Sequence, residues 1–130
     1  MDKALTVMIA DDAEDMRLLL RMRLMSDPRF EVIGEASTGD ELSLMVDSER
    51  PDVALLDLSM PSMDLDHISE MKSNSPETRV IVLSGYESAL KADLVREAGA
   101  DAYVEKGTDM MARISTVISG LFEEAEAAPS

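Results

Sequence analysis

Five short aliphatic segments recur along the chain, and the stretches between them carry apolar residues at helical spacing. The aliphatic segments cover residues 5–10, 31–36, 53–58, 79–84 and 102–104. The first, third and fourth are nearly continuous apolar runs, which is typical of strands covered on both faces. The second alternates and the fifth is short, so we expect both at the edges of the sheet. Strands that alternate with helices predict a parallel α/β sheet.

Each intervening stretch shows an apolar stripe that we expect to face the sheet. In chain order, these stripes consist of Met16, Leu19, Leu20 and Leu24; Leu42, Met45 and Val46; Ile68 and Met71; Leu90, Leu94, Val95 and Ala98; and Met110, Ile114, Val117, Ile118 and Leu121. Right-handed crossovers then leave a doubly wound sheet as the economical topology. In such sheets the ligand crevice lies beyond the carboxyl ends of the strands.

The length of the chain indicates one domain. The chain has 130 residues, and we expect the domain at residues 1–122. Residues 123–130 are small and acidic, and we expect them to fray or to form the stub of a linker. The apolar runs are far shorter than the roughly 20 residues that span a bilayer, and no signal peptide is visible. We therefore expect a cytoplasmic protein without a membrane contact.

The charge and the cysteine count exclude several kinds of site. The formal net charge is −15, which repels a phosphate backbone. Direct binding of nucleic acid by this domain is therefore the first class to be discarded. The absence of cysteine excludes disulfides and thiolate metal sites.

Polar residues of one chemical kind collect at the predicted strand ends. Asp11 and Asp12 follow the first strand, Asp57 lies at the end of the third, Ser84 ends the fourth, and Lys106 follows the fifth. Two carboxylates about 4 Å apart repel by roughly 4 kcal/mol at an effective dielectric constant near 20. Such a cluster requires cations. Because all the ligands are oxygens, Mg2+ is favoured over zinc or copper.

Each residue also has an ordinary explanation when it is taken alone. The acidic pair after the first strand could cap a helix. Asp57 and Lys106 could form a structural salt bridge in the core, and Ser84 could be a strand-end hydroxyl. His67, the only histidine, has no second ligand at metal spacing and is expected to be an ordinary surface or boundary residue. The conjunction at four strand ends favours the functional interpretation.

The order of these motifs resembles the response-regulator receiver family, over about residues 5–122. The family's acidic pair matches Asp11 and Asp12, its phosphoacceptor Asp57, the motifs after the phosphoacceptor Met60-Pro61 and Met63-Asp64, its Ser/Thr switch residue Ser84, its switch aromatic Tyr103 and its lysine Lys106. Residues 35–41 also look like the family's segment after strand two. The resemblance implies a flavodoxin-like, doubly wound (βα)5 fold with a five-stranded parallel sheet in the order 2-1-3-4-5.

The resemblance implies a Mg2+-dependent phosphorylation reaction. Asp57 would take a phosphoryl group from a histidine kinase, a histidine phosphotransfer protein or a small acyl phosphate, and become an aspartyl phosphate. Asp12, Asp57 and the backbone carbonyl of Ser59 would bind Mg2+ directly, and Asp11 would act through water. The domain would carry out only its own phosphotransfer and autodephosphorylation, so we do not expect an enzyme.

The resemblance also implies a conformational switch. Lys106 would pair with the phosphoryl oxygens, and the Ser84 hydroxyl would donate a hydrogen bond to one of them. Tyr103 would rotate into the space that Ser84 leaves, changing the face formed by helix four, strand five and helix five. That face would signal to an output domain or a partner protein. The sequence leaves the formation of a homodimer open.

Three residues bear on how closely the family pattern applies. Leu65 stands where the family usually has glycine, which puts the backbone of the loop after strand three in doubt. Gly107 replaces the usual proline after the lysine, so the expected cis bond is absent. Gly85 leaves the approach to the phosphate open, and we expect this to speed hydrolysis.

Three rival classes remain at this point. A phosphohydrolase of the haloacid-dehalogenase kind would need a second acid two residues after the nucleophile, where this chain has Ser59. A flavodoxin-like nucleotide or flavin binder would need a phosphate loop after strand one, but residues 10–15 are mostly acidic. The third is a receiver-like scaffold that is never phosphorylated.

Overall fold

Strands and helices alternate throughout the computed structural model, which describes residues 4–85, 89–107 and 109–127. Of residues 89, 90 and 124–127 only the backbone is described. The strands are β1 (Leu5–Ala10), β2 (Phe30–Ala36), β3 (Val53–Asp57), β4 (Arg79–Ser84) and β5 (Ala102–Glu105). The helices are α1 (Glu14–Met25), α2 (Gly39–Glu49), α3 (Leu65–Asn74), α4 (Ala89–Ala98) and α5 (Met110–Ala127).

The five strands form one parallel sheet in the order β2-β1-β3-β4-β5. This confirms the predicted topology and the prediction that β2 and β5 are the edges. The register between β1 and β2 shifts after Val7, because Val7 pairs with Val32 whereas Met8 pairs with Gly34. The central strand β3 is buried along its whole length, which places its last residue, Asp57, inside the protein.

Successive residues of the strands point into two separate cores, because side chains alternate between the faces of a sheet. Leu55 packs into the layer beneath α1 and α5, and its neighbour Leu56 packs into the layer beneath α2, α3 and α4. Both side chains are fully buried. Burial of one such side chain contributes about 1.5–3 kcal/mol. The two cores hold the sheet rigid, and its strand ends therefore have fixed positions.

Two predicted core positions are wrong. Leu20 and Leu24 on α1 are buried, but Leu19 is 53% exposed. Consecutive residues of a helix differ by about 100° in direction, so Leu19 points away from the face that Leu20 and Leu24 present to the sheet. On α4, Val95 is buried and Leu94 is 40% exposed for the same reason. The side chain of Leu90 lies outside the described part of the chain.

The last helix is longer than predicted. Helix α5 extends to Ala127, past the predicted domain boundary at residue 122, so the backbone of residues 123–127 is helical. That the acidic end of the chain frays or forms the stub of a linker stays a prediction. Glutamate and alanine dominate this stretch and both are strong helix formers. Residues 128–130 lie outside the described residues, and the domain boundary at 122 stays a prediction. Among the described residues, no helix combines the length and the apolar character required to cross a membrane.

Candidate functional site

The carboxyl ends of β1, β3, β4 and β5 place the predicted site residues at one edge of the sheet. Asp11 directly follows β1, Asp57 is the last residue of β3, Ser84 is the last residue of β4 and Lys106 directly follows β5. The backbone N–H of Lys106 donates to the Ser84 carbonyl at 2.7 Å, which ties the last two strand ends together. Parallel strands explain the convergence, because all of their carboxyl ends meet at the same edge.

Three carboxylates meet at the centre of this edge. One carboxylate oxygen from each of Asp11, Asp12 and Asp57 lies within 4.8 Å of the other two. Asp11 and Asp57 are 1% and 3% exposed, whereas Asp12 is exposed. Buried carboxylates at this separation repel one another unless cations neutralise them. A group of oxygen donors with a high negative charge fits a hard divalent cation such as Mg2+.

Lys106 supplies one of the required positive charges. Its Nζ lies 2.9 Å from Asp11 Oδ2 and 3.3 Å from Asp57 Oδ2. Burial alone would lower the pKa of Lys106, but the hydrogen bond to Asp11 and the charges of Asp57 and Asp11 outweigh burial and raise it. The ordinary explanation, a single salt bridge to Asp57, therefore does not describe the geometry. One ammonium group cannot neutralise three carboxylates.

The side chain of Asp57 is also held by Ser59, two residues further on. The Ser59 backbone N–H donates to Asp57 Oδ1 at 3.2 Å. The Ser59 hydroxyl lies 3.1 Å from Oδ1 and 3.0 Å from Oδ2 of the same carboxylate. The Ser59 carbonyl as a metal ligand stays a prediction, whereas the contact of the Ser59 hydroxyl with Asp57 was not predicted from the sequence. The spacing of a hydroxyl residue two positions after an aspartate is the local signal for such a turn.

Arg17 is a second residue that the sequence analysis missed. Its Nη1 donates to the backbone carbonyl of Asp11 at 2.6 Å, and its Nε donates to Glu35 Oε1 at 3.3 Å. Arg21 donates to the other oxygen of Glu35. Arg17 is visible in the sequence as a charged residue of α1, but its contacts join α1 to the end of β1 and to β2. No local pattern indicates that contact.

The two predicted switch residues lie in different surroundings. Ser84 is 3% exposed at the end of β4, and Tyr103 is half-buried on β5, where its ring packs against the core beneath α2, α3 and α4. The chain between them includes residues 86–88, which lie outside the described residues. Their coupling therefore stays a prediction. Gly85 is exposed, and a Cβ atom at this position would meet nothing within 4 Å.

The loop after β3 accepts Leu65 without strain. Asp64 caps α3 by accepting the backbone N–H of His67 at 2.9 Å, and Leu65 is the first helical residue. In this loop, Ser62 is the residue with a positive φ, of 55°. Leu65 is not among the described residues with positive φ. The doubt about the loop backbone at Leu65 is therefore removed.

His67 links the amino-terminal ends of two helices. Its Nδ1 lies 2.7 Å from Asp64 Oδ1, and its Nε2 lies 2.8 Å from Asp40 Oδ1 on α2. The hydrogen bond with Asp40, and then that with Asp64, raise the pKa of His67 against the opposing effect of burial. His67 is partly buried, as expected for a residue at the boundary between the surface and the core, but it also connects α2 to the loop that follows Asp57.

Comparison with known proteins identifies the family. The family described as response regulator receiver domain matches residues 7–118. The uncharacterized transcriptional regulatory protein YhcZ of Bacillus subtilis (strain 168) is 38% identical over 104 residues, which cover 79% of this chain and 49% of YhcZ. The chemotaxis protein CheY of Listeria monocytogenes serovar 1/2a is 31% identical over 103 residues, which cover 78% of this chain and 86% of CheY.

A solved structure has the same fold. The crystal structure of a two-component response regulator of the LuxR family from Aurantimonas sp. SI85-9A1 aligns with a TM-score of 0.85 and 22% identity, over 92% of this chain and 86% of that chain. The chain belongs to the response regulator receiver family. It is a receiver domain of two-component signalling, a family in which phosphorylation of an aspartate is general. It spans about half the length of YhcZ.

Membership in this family fits the site. The group formed by Asp11, Asp12 and Asp57 corresponds in composition to the acidic Mg2+ site of receiver domains. The match covers most of the chain and therefore excludes two of the three rival classes, the phosphohydrolase and the flavin or nucleotide binder. The family match does not distinguish a phosphorylated receiver domain from a receiver-like scaffold.

Proposed function

We propose that Asp57 is the residue that accepts the phosphoryl group. The observation that carries the proposal is the burial of Asp57 at the end of β3, in contact with Lys106 and grouped with Asp11 and Asp12. A buried carboxylate surrounded by other carboxylates is costly, and a structural role does not require it. The cost is understandable if a divalent cation and a phosphoryl group complete the arrangement.

The carboxylate of Asp57 acts as the nucleophile. One of its oxygens forms a bond to phosphorus while the bond from phosphorus to the donor breaks, either to the imidazole nitrogen of a phosphohistidine or to the acyl oxygen of an acyl phosphate. The donor leaves with the electron pair of that bond. Ser59 and Lys106 hold the carboxylate in place, so the reaction needs little reorganisation.

Asp11, Asp12, Asp57 and the carbonyl of Ser59 would hold Mg2+ in this site. When bound, Mg2+ neutralises the negative charge that collects on the phosphoryl oxygens. Lys106 lies between Asp11 and Asp57, where its ammonium can pair with a phosphoryl oxygen once Asp57 is esterified.

The signal leaves the domain through α4, β5 and α5. The Ser84 hydroxyl binds a phosphoryl oxygen, and Tyr103 changes its rotamer in response, which alters the surface of these three elements. The donor is a histidine kinase or a histidine phosphotransfer protein, and the receiver of the signal is an output domain or a partner protein. Because YhcZ is called a transcriptional regulatory protein, a DNA-binding output domain is the favoured kind.

The proposal also covers the location of the domain, its binding of nucleic acid and the extent of its chemistry. The domain acts in the cytoplasm, it binds no nucleic acid itself because its net charge is −15, and its only chemistry is its own phosphorylation and dephosphorylation. The formation of a homodimer is left to measurement of the mass in solution.

The test uses acetyl phosphate as the donor. We expect the protein to gain one phosphoryl group in the presence of Mg2+, as measured by the mass of the intact protein, and to lose it in hydroxylamine. Asp57→Asn should abolish the gain. Asp66→Asn, which removes an exposed carboxylate on α3, is the matched control and should behave as the wild type. An unchanged mass of the wild type would instead favour the scaffold that is never phosphorylated.

A further inference from the structure

Asp11 has a partner for every polar group it carries. Its backbone N–H donates to the Ala36 carbonyl at 3.1 Å. Its Oδ1 accepts the N–H of Ala13 at 2.8 Å, and its Oδ2 accepts a hydrogen bond from Lys106 at 2.9 Å. Its backbone carbonyl accepts from Arg17 Nη1 at 2.6 Å. Ala36 on β2, Ala13 in the turn and Lys106 in the site provide three of these contacts. The fourth comes from Arg17 on α1.

The contact with Arg17 determines more than the position of Asp11. A peptide unit is planar, so the direction of the Asp11 carbonyl also sets the direction of the N–H and Cα of Asp12. Asp12 is exposed, and within the described chain its carboxylate makes no hydrogen bond or ion pair of its own. The orientation of this carboxylate therefore depends on the backbone of the turn. Without Arg17, the Asp11 carbonyl would lose this hydrogen bond, and we expect it to turn toward water and carry the peptide with it.

Arg17 is itself held in a fixed orientation. Its Nε donates to Glu35 on β2 at 3.3 Å while its Nη1 reaches the Asp11 carbonyl, so the planar guanidinium is bound at two points. Glu35 pairs in register with Ile9 on β1. The side chain of Arg17 is 19% exposed. The contacts thus join the first turn of α1 to the two strands that position the acidic pair.

We propose that Arg17 is a positioning residue for the divalent cation site. By holding the Asp11 carbonyl, it sets the peptide between Asp11 and Asp12 and so places the Asp12 carboxylate beside Asp57. This inference rests on the proposed function, because it assumes that the acid cluster binds a cation. Arg17 touches neither the phosphoryl group nor the nucleophile. Its effect therefore appears in the affinity for the metal.

The experiment measures the Kd for Mn2+ in the whole chain, from the electron paramagnetic resonance signal of free Mn2+, with Mg2+ as the competitor. Arg17→Gln should raise the Kd about tenfold, the low end of the effect of removing a residue that supports a metal ligand. Arg21→Gln is the matched control: it removes the other arginine bound to Glu35 but makes no contact with Asp11, so the Kd should stay at the wild-type value.

Three further measurements separate the role of the planar guanidinium from that of a positive charge and from an effect on folding. Arg17→Lys keeps the positive charge but loses the planar fork, and we expect its Kd to rise as well. Phosphorylation of Arg17→Gln by acetyl phosphate should need more Mg2+ to reach half its maximal rate, and the maximal rate should approach that of the wild type. Circular dichroism and urea unfolding of the metal-free proteins should show equal folding of Arg17→Gln and Arg21→Gln.

The outcomes are distinguishable. A Kd for Arg17→Gln equal to that of Arg21→Gln would overturn the role of Arg17 and leave the proposed function intact. A wild-type Kd in Arg17→Lys would show that the planar guanidinium bound at two points is not required, which also overturns positioning by its fixed orientation. A wild type that binds neither Mn2+ nor Mg2+ would overturn the cation site and this inference together, and the mass experiment on Asp57 would then decide the proposed function by itself.

Discussion

Lys106 lies closer to Asp11 than to Asp57. The distance from its Nζ is 2.9 Å to Asp11 Oδ2 and 3.3 Å to Asp57 Oδ2. Under the proposed function, the lysine is anchored by Asp11, a carboxylate that does not react, and we expect its ammonium to stay in place when Asp57 is phosphorylated. Anchoring of this kind is the physical basis of preorganised charge stabilisation, since no group has to move at the moment of reaction.

Replacement of Lys106 by methionine tests this arrangement. Lys106→Met should lower the rate of phosphorylation by acetyl phosphate about 100-fold, the cost of removing one donor from a charge-stabilising site. Affinity for Mn2+ should not fall, because the loss of an ammonium makes the acid cluster more negative. Metal-free Lys106→Met should be less stable by about 2 kcal/mol, between the values for exposed and buried pairs.

Urea unfolding with and without Mg2+ checks the stability effect. The deficit of Lys106→Met should shrink when Mg2+ is present, because the cation replaces the missing positive charge. A rate of phosphorylation equal to that of the wild type would contradict the role given to Lys106.

The contacts of His67 predict a dependence of stability on pH. The bonds to Asp40 and Asp64 raise the pKa of His67 in the folded protein above the value of 6.5. A raised pKa means that the folded state binds the proton more tightly, so the stabilisation is complete below about pH 6.5 and is lost as the pH rises through the pKa of the folded state. A neutral imidazole can donate to only one of the two carboxylates.

Nuclear magnetic resonance can follow this titration directly, because His67 is the only histidine. We expect a pKa above 6.5 in the wild type and a lower pKa in Asp40→Asn. The difference in the free energy of unfolding between the wild type and His67→Gln should decrease from about pH 6 to about pH 8. A difference that is constant over this range would rule out the link between protonation and the contact of α2 with α3.

The close packing around Gly39 predicts that a single added methyl group lowers the stability of the protein. A Cβ atom at this position would lie 2.4 Å from the Ser62 carbonyl oxygen and 2.7 Å from Met63 Cα. Both are backbone atoms of the loop after β3, so neither can move aside cheaply. Gly39→Ala should destabilise the protein by about 1–3 kcal/mol, the usual cost of overpacking.

Gly120 provides the matched control, since it lies in α5 and a Cβ atom there would meet nothing within 4 Å. Gly120→Ala should stabilise the protein by about 0.5–1 kcal/mol, because alanine loses less conformational entropy in a helix than glycine does. Thermal unfolding of the two variants should move the Tm in opposite directions. Equal shifts would show that the close approach of Gly39 to the loop is not a structural constraint.

Substitution of Gly85 should change the lifetime of the phosphorylated protein. The space around this residue is open, so Gly85→Ala should fold normally and place a methyl group beside the approach to the phosphate. We expect autodephosphorylation to slow by a few-fold, measured as the loss of the phosphorylated mass after removal of acetyl phosphate. An unchanged rate of hydrolysis in Gly85→Ala would refute the expectation that the glycine speeds attack by water.

The sequence alone determined the type and order of the elements and the residues of the candidate site. The apolar runs at β1, β3 and β4 and the helical stripes are local signals, which depend only on the spacing of side chains along the chain. Right-handed crossovers then leave few ways to arrange the strands. Because parallel strands have their carboxyl ends at one edge, the sequence is sufficient to group Asp11, Asp57 and Lys106.

The tertiary structure alone decided which side chains hold those residues in place. Arg17 and Asp11 meet only because α1 turns back against β1 and β2, and His67 reaches Asp40 across 27 positions of the chain. The exposure of Leu19 depends on the exact rotation of α1 over the sheet. Such contacts depend on distances between separate elements to within an ångström, and hydrophobic periodicity carries no information at that precision.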